Sequence, residues 1–278
     1  MQLDNVTIRE FQDRIFLWYQ DNERDLPWRE MPDDISLGDR AYRILVSEVM
    51  SQQTQLGRVI PKYEAWITRF PTVAQLADGS LREVLEYWSG LGYNSRALNL
   101  QKTARIIVRE LEGVFPQHIH ALMELPGIGK YTAAAVACFA FDQQIPVVDT
   151  NIRKVITHEF FNGELPDEKT IEEVALQILP IGKAYKWNQA LMDYSSLVLK
   201  QAKIPVPKQS HFLSSDRYFR GQTVKLLIGK QEMSIAELWD YFDRRNPILL
   251  ERLITILDSM QKDGLIQHKK KCLSLAKT

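Results

Sequence analysis

The sequence predicts an all-α protein that ends in a small winged-helix-like domain. Three observations favour this fold class. Apolar residues recur with helical periodicity along most of the chain, and a glycine-containing turn near residue 127 separates two helical segments. The region after residue 218 reads as three helices followed by a β-hairpin. With 278 residues, of which 45% are hydrophobic, the chain can form one large or two modest packed cores.

The helical periodicity defines the elements in order. It predicts helices over 8–20, 42–53, 59–70, 81–88, 96–111, 119–124, 131–141, 152–161, 167–179 and 187–200. The sequence LPWR at 26–29 ends the first helix, residues 32–39 read as a loop, and turn-forming residues occupy 71–73 and 78–80. After a polar linker at 208–217, helices over 219–228, 234–242 and 247–262 precede a hairpin at 264–275.

The turn between the helices at 119–124 and 131–141 is the most informative stretch. Pro126, Gly127 and Gly129 are unfavourable inside a helix, so the pattern predicts helix, hairpin, helix. Glycines expose backbone N–H groups, and the second helix begins with its positive dipole end at the same place. This combination binds an anion such as a phosphate, although a simple turn between two core helices would also fit.

Composition excludes several classes of protein. The 35 Lys and Arg residues balance 35 Asp and Glu residues, so any nucleic-acid contact would need a local cationic face. Cys138 and Cys272 have no metal-ligand spacing, and we expect no metal site. No apolar run approaches the length of a membrane span, and the N-terminus is unlike a signal peptide. A cytoplasmic, nucleoid-associated protein is the expectation.

Four motifs occur in a characteristic order: SEVMSQQTQ at 47–55, GLGYNSRA at 90–97, LPGIGKYT at 125–132 and VDTN at 148–151. Through them the chain, over roughly residues 10–205, resembles the helix-hairpin-helix DNA glycosylases, and among these the MutY-type adenine glycosylases. The resemblance implies a two-lobed glycosylase domain over 1–207. We expect a six-helix lobe at about 34–145 and a second lobe formed by 1–33 and 146–207, before the winged-helix-like domain at 218–278.

Two acidic residues are the candidates for catalysis. Glu48 lies within a mostly apolar helix, and by its sequence alone it could be an ordinary solvated residue. The resemblance implies instead that Glu48 is the acid that protonates adenine, for which a partly buried carboxyl with a raised pKa is suited. Asp149 could cap the following helix, and the resemblance implies that it also faces the sugar as a carboxylate.

The resemblance assigns supporting roles to two further residues. Asn151 would orient a carboxyl, and Tyr131 would support Asp149. The endonuclease III branch has a lysine at the position of Tyr131, which forms a Schiff base and cleaves the strand. Lys130 projects about 100° away around the helix. A monofunctional glycosylase with little or no lyase activity is therefore expected.

The remaining site candidates would contact DNA. The polar run of Gln52, Gln53 and Thr54 could be an ordinary helix terminus, but the resemblance implies a wedge that fills the gap left by a flipped base. Tyr93, on a glycine-containing turn, would be a second intercalating side chain. The hairpin would contribute a further set of phosphate contacts: Pro126, Gly127, Gly129, Lys130 and Thr132.

The chain departs from this family at two places. Relatives carry four cysteines from about Leu199 onward that hold an iron–sulfur cluster, and this stretch has none here. We expect no cluster and no other cofactor. Relatives also end in a nucleotide-hydrolase-like domain that inspects 8-oxoguanine, which the winged-helix-like region does not resemble. Its excess positive charge at Arg244, Arg245 and 269–271 favours a second DNA contact, with protein contacts as the alternative.

Together these features predict a base excision repair enzyme. It would bind double-stranded DNA as a monomer and hydrolyse the N-glycosidic bond of adenine opposite 8-oxoguanine or guanine. Two alternatives stay open at this point. The same fold could act on another base, such as thymine in a G·T mispair, or the chain could bind DNA without catalysis.

Overall fold

The computed structural model of the protein describes residues 2–201, 211–269 and 272–277. The chain divides into two compact units, Met1–Glu48 with Phe115–Pro207 and Val49–Val114 with Lys208–Thr278. The helices in chain order are α1 (Asn5–Asn22), α2 (Leu37–Ser51), α3 (Leu56–Arg69), α4 (Val73–Asp78), α5 (Leu81–Trp88), α6 (Ser95–Arg109), α7 (Ile119–Met123), α8 (Lys130–Phe141), α9 (Thr150–Phe160), α10 (Glu168–Gln177), α11 (Ala184–Leu197), α12 (Asp216–Gly229), α13 (Ile235–Asp243) and α14 (Leu250–Lys262). The strands are β1 (Met233–Ser234), β2 (Ile266–Lys269) and β3 (Cys272–Leu275), and a short 3₁₀ helix spans Phe212–Ser214.

The first unit is built around helices α8 and α11. Helix α11 packs against α1, α8 and α9, and α7 packs against α8. Helix α8 is rich in alanine and almost wholly buried, because small side chains let its neighbours approach closely. The ring of Phe11 lies edge-on to Trp187, with 5.6 Å between the centroids, and Trp187 is among the largest buried side chains of the chain.

The second unit contains α3 to α6 and the C-terminal region. Trp66 lies edge-on to Trp88 at 5.6 Å between ring centroids and next to Phe70 at 5.1 Å. Helix α4 packs against α6, and α5 packs against both α3 and α6. Helix α4 was not predicted because its two ends read as turns, although Thr72 and Gln75 form a capping box at its start.

The C-terminal region has the predicted order of helices and wing. Its three-stranded antiparallel sheet has the order β1-β3-β2, so that β3 pairs with both other strands. Strand β1 was not predicted because it is only two residues long. Within this unit α12 packs against α5. Arg82 donates to the carbonyl of Ile228, and Lys102 donates to the carbonyl of Asp263 at 3.4 Å.

The predicted all-α, winged-helix-like fold class is confirmed, and most helix ends lie within a few residues of their predicted positions. The predicted domain limits stay a prediction. Residues 208–210 of the linker, most of the cysteine-free stretch, and Lys270 and Lys271 of the wing lie outside the described residues. Within the described residues, no helix combines the length and apolar character needed to cross a bilayer.

Candidate active site

The carboxyl group of Glu48 and the hydroxyl of Tyr131 meet in the first unit. Glu48 lies in the last part of α2 and Tyr131 in the first turn of α8, and both side chains are half-buried. The Tyr131 hydroxyl donates to Oε2 of Glu48 at 2.5 Å. This contact differs from the predicted partner, Asp149. The difference arises because the first turn of α8 lies beside the end of α2, which a sequence motif cannot show.

Asp149 is held at the start of α9 by two donors. It is the N-cap of the helix, and its Oδ1 accepts from the backbone N–H of Ile152 at 2.7 Å. The Asn151 amide donates to its Oδ2 at 2.7 Å, and the orienting role of Asn151 stays a prediction. The sequence allowed two interpretations of Asp149, a helix cap and a functional acid. The structure contains the cap, and the second carboxylate oxygen is held by Asn151.

The surroundings shift the pKa of both acids upward. Burial raises the pKa of Glu48 to about 7, the nearby charge of Asp149 adds to this increase, and the hydrogen bond from Tyr131 opposes it. Burial also raises the pKa of Asp149, whereas the hydrogen bonds from Ile152 and Asn151 favour its charged form. Burial and the two acids raise the pKa of the Tyr131 hydroxyl well above its ordinary value. The hydroxyl therefore stays a donor at neutral pH.

A buried cation lies close to Glu48. The positive charge of Arg29 lowers the pKa of Glu48 and thus partly offsets the effect of burial. The guanidinium of Arg29 makes a two-pronged contact with Asp193, with both N–O distances 2.8 Å. Arg24 contacts the same carboxylate through its backbone N–H at 3.0 Å and through Nε at 2.7 Å. The sequence predicted LPWR only as a helix end and placed Asp193 in a helix over 187–200, with no role for either.

The hairpin has the geometry expected of an anion-binding turn. Gly127 has a φ of +77°, which a side chain would strain, and Gly129 is the N-cap of α8 without a side-chain cap bond. Lys130 is exposed and forms an ion pair with Glu172. The side chain of Thr132 is buried, so its predicted contact with DNA would have to come from the backbone. Of these two polar side chains, Lys130 is thus exposed and Thr132 is not.

The two predicted wedges lie on loops of the second unit. Gln53 follows the end of α2 with a φ of +52°, and Tyr93 has a φ of +47°, so both adopt the left-handed region that non-glycine residues seldom occupy. Gln53 is exposed, and Tyr93 is 41% exposed. Strain of this kind persists only where the surrounding structure holds it in place.

Arg96 supplies that restraint. Its guanidinium donates to the carbonyls of Val49 at 2.6 Å and Gln52 at 2.9 Å at the end of α2. It also donates to the carbonyls of Leu91 at 3.0 Å and Gly92 at 3.2 Å in the other loop. Burial lowers the pKa of Arg96 to about 10, so it remains charged at neutral pH. One side chain therefore fixes both loops, a role that the motif GLGYNSRA did not reveal.

The fold defines a class of protein, the helix-hairpin-helix proteins, and comparisons with known proteins identify the family. The sequence profile of the HhH-GPD superfamily base excision DNA repair proteins matches residues 46–180. An adenine DNA glycosylase of Mycolicibacterium smegmatis is 34% identical over 90% of this chain and 90% of its own. The solved structure of a thermostable thymine-DNA glycosylase superposes with a TM-score of 0.64, at 29% identity, over 72% of this chain and 90% of its own.

An adenine DNA glycosylase of Rattus norvegicus is 40% identical over 70% of this chain, but the match spans only 39% of the rat protein. The chain thus covers well under half the length of its mammalian relatives. On the strength of the full-length bacterial match, the chain belongs to the HhH-GPD superfamily of base excision DNA repair proteins and, within it, to the family of the adenine DNA glycosylases.

The residues present do not fit an iron–sulfur cluster of the four-thiolate kind. The sequence contains two cysteines, of which Cys138 is buried in α8 and Cys272 is exposed on β3. Burial raises the pKa of the Cys138 thiol to about 12, which keeps it protonated and unsuited to bind a metal. Among the described residues, no group of three or more His, Cys, Asp or Glu side chains could hold a metal ion.

Proposed function

We propose that the protein is a monofunctional DNA glycosylase that removes adenine mispaired with 8-oxoguanine or guanine from double-stranded DNA. The observation that carries the proposal is the pair of acids in the first unit, held by different donors. Two carboxyls in different protonation states can neutralise a leaving base and stabilise a cationic sugar. The family relationship supports adenine as that base.

In this mechanism the target nucleotide first leaves the stack, since its glycosidic bond is inaccessible within the duplex. Protonated Glu48 then gives its proton to N7 of the adenine. The bond between C1′ and N9 breaks, and its electron pair stays on the base. The pKa of Glu48, about 7, suits a general acid near neutral pH because a substantial fraction carries the proton there.

The remaining charge is handled by Asp149. As a carboxylate it stabilises the oxocarbenium-like sugar, and the Asn151 amide and the N–H of Ile152 favour that charged form. A water molecule attacks C1′ and passes a proton to Glu48, which restores its acid form. The products are free adenine and an abasic site, and no metal or redox cofactor takes part in this hydrolysis.

The lack of lyase activity is part of the proposal. A lyase needs an amine at C1′, and the residue beside Glu48 is Tyr131, whose hydroxyl is occupied by the Glu48 carboxylate. Lys130 points to Glu172 instead. The hairpin would contact the DNA backbone, and Gln52, Gln53, Thr54 and Tyr93 would be the wedges that fill the gap left by the flipped base. We further propose that the protein acts as a monomer in the cytoplasm.

The test is single-turnover base release from duplexes that carry adenine opposite 8-oxoguanine or guanine, with hot alkali to reveal abasic sites. Strand breaks at the adenine are expected only after the alkali step. A break without alkali would contradict the monofunctional mechanism. No break in any adenine duplex would remove adenine as the substrate.

Two alternatives are decided by the same assay. Thymine opposite guanine is a second candidate because of the structural similarity to a thymine-DNA glycosylase. Thymine has no purine N7 to protonate, which favours a purine for Glu48. If the protein binds DNA without catalysis, wild type and Glu48→Gln should bind the duplex equally well and release no base. The proposed enzyme predicts that Glu48→Gln binds normally and loses base release by at least about 10²-fold.

A further inference from the structure

Ser195 completes a chain of hydrogen bonds that ends on Asp149. Its hydroxyl lies on α11, and its residue is only 1% exposed. The hydroxyl donates to Oδ1 of Asn151 at 3.3 Å, and Nδ2 of Asn151 donates to Oδ2 of Asp149 at 2.7 Å. Both steps thus point a donor toward the carboxylate.

The direction of this chain has a chemical consequence. The two ends of a carboxamide have nearly the same shape, so hydrogen-bond partners decide which end faces the acid. A hydroxyl that donates to Oδ1 holds that end away from Asp149 and polarises the Nδ2–H bond toward it. Asn151 is half-buried, and without this donor its Oδ1 would lose the hydrogen bond from Ser195, so that the amide could turn or withdraw.

We propose that Ser195 is a positioning residue that acts through Asn151 to keep Asp149 ionised during base release. This inference rests on the proposed function and adds a residue to it. Among the described residues, the titratable or charged groups that interact with Asp149 include Glu48 on α2, Tyr131 on α8 and Arg153 on α9. These stay in place when Ser195 is changed, so a shift in the titration of Asp149 would report the hydrogen-bond chain.

The primary experiment measures Asp149 directly in the full chain. The ¹³C signal of the Asp149 carboxyl, assigned by its loss in Asp149→Asn, is titrated in wild type, Ser195→Ala and the control Ser196→Ala. Ser196 lies on the same helix, and its hydroxyl donates to the carbonyl of Met192 at 2.9 Å, away from this chain. The pKa of Asp149 should rise in Ser195→Ala and stay at the wild-type value in Ser196→Ala.

Base release provides the second readout. Ser195→Ala should move the acidic limb of the pH–rate profile upward, lower the rate several-fold there and leave the basic limb unchanged. Equal titration of Asp149 in wild type and Ser195→Ala would overturn the inference, as would an Ser195→Ala variant that unfolds while Ser196→Ala does not. An inert wild type with a shifted Asp149 titration would refute the proposed function but not the role of Ser195.

A separate observation in the second unit concerns Tyr93. The Nη1 group of Arg217, on α12 of the winged-helix-like region, donates to the Tyr93 hydroxyl at 2.7 Å. The guanidinium carbons of Arg217 and Arg96 each lie 5.7 Å from the centroid of the Tyr93 ring. The strained Tyr93 is therefore contacted by Arg96, at the start of α6, and by Arg217 of the C-terminal region.

We infer that Arg217 positions Tyr93 for its contact with DNA and so couples the winged-helix-like region to recognition of the mispair. The inference rests on the proposed DNA contact of Tyr93. A double-mutant cycle tests it: Tyr93→Phe, Arg217→Met and the double variant, each with Glu48→Gln to prevent cleavage. The measurement is the affinity for duplexes with and without the 8-oxoguanine·adenine pair, at one salt concentration.

Each single change should weaken mispair binding about three- to tenfold, and the double variant should bind at least threefold better than the product of the two effects predicts. Lys225→Met, an exposed lysine on the same helix, controls for the loss of one positive charge. Additive effects, or an equal loss in Lys225→Met, would overturn the inference. The inference would also be overturned if the Glu48→Gln parent binds the mispair and neither Tyr93→Phe nor Arg217→Met changes its affinity. Failure of that parent to bind any duplex would instead refute the proposed function.

Discussion

The acid pair of the first unit and the strained loops of the second are held by different kinds of contact. Separate donors hold the two acids: the Tyr131 hydroxyl donates to Glu48, while the Asn151 amide and the backbone N–H of Ile152 donate to Asp149. The loops are held through their backbone carbonyls, which accept from the guanidinium of Arg96 at the end of α2 and in the turn before Tyr93. The first arrangement sets protonation states, while the second sets the path of the chain.

This difference separates the effects of substitution. Changes around the acids should alter the rate and its dependence on pH, with little loss of fold. Changes at Arg96 should alter stability and DNA binding, with little change in the pH profile. Four experiments can break or sharpen this contrast.

The largest effect is expected for Asp149→Asn. Asparagine is as good an N-cap as aspartate, so α9 should form normally and the Tm should change by no more than about 2 °C. The negative charge beside the sugar is lost, and single-turnover base release should fall by about 10³-fold or more. A variant that melts far below wild type but releases base at a nearly normal rate while folded would show that Asp149 acts as a cap and not in the chemistry.

The second effect is expected for Arg96→Met, which removes the shared donor of both loops. Several carbonyls would lose their buried partner, at roughly 1–3 kcal/mol for each group left unsatisfied. We expect the Tm to fall by about 5–10 °C and mispair affinity by about tenfold. Thermal melts and a binding titration measure the two changes.

Arg69→Met is the matched control in the same unit. Arg69 forms a partly exposed ion pair with Glu83, so its loss should change the Tm little. A similar loss of stability in both variants would argue against a special role for Arg96. A shifted pH optimum in Arg96→Met would contradict the expected difference between the two regions.

A smaller and more diagnostic effect is expected for Tyr131→Phe. The Tyr131 hydrogen bond lowers the pKa of Glu48, so its removal should raise that pKa above about 7. The basic limb of the pH–rate profile, which requires protonated Glu48, should therefore move upward by about half a unit to one unit. A limb that moves downward, or an acidic limb that moves alone, would contradict the assignment of Tyr131 to Glu48.

The smallest effect concerns stability. The pKa of Glu48 in the folded protein, about 7, exceeds its ordinary value of 4.5, so the folded state holds the proton more tightly than the unfolded state. Glu48 therefore costs nothing below about pH 4, destabilises the fold progressively as the pH rises toward 7, and costs most above it. Glu48→Gln should match wild type near pH 4 and melt a few degrees higher at pH 8.

Melting curves across this pH range supply the test. Glu64→Gln, at an exposed position of α3, is the control and should leave the pH dependence of the Tm as in wild type. A Glu48→Gln variant that is less stable than wild type at pH 8 would reverse the sign of the argument.

Much of the fold could be predicted because it depends on local signals. Apolar periodicity located the long helices, and Pro126, Gly127 and Gly129 located the hairpin. Helix α4 was missed because turn-forming residues occupy both of its ends, and strand β1 was missed because two residues carry no periodicity. The four residues of the acid site came from family motifs and not from local physics, which favoured a solvated Glu48 and a simple cap at Asp149.

By itself the sequence determined where the helices lie, which acids were candidates and that two cysteines are too few for a four-thiolate cluster. Only the tertiary structure decided that Tyr131 binds Glu48, that Ser195 reaches Asn151, and that Arg96 and Arg217 converge on Tyr93. The reason is physical. Every residue carries a carbonyl, so the acceptors of a buried arginine leave no mark in the sequence, and partners far apart in the chain meet only when helices pack.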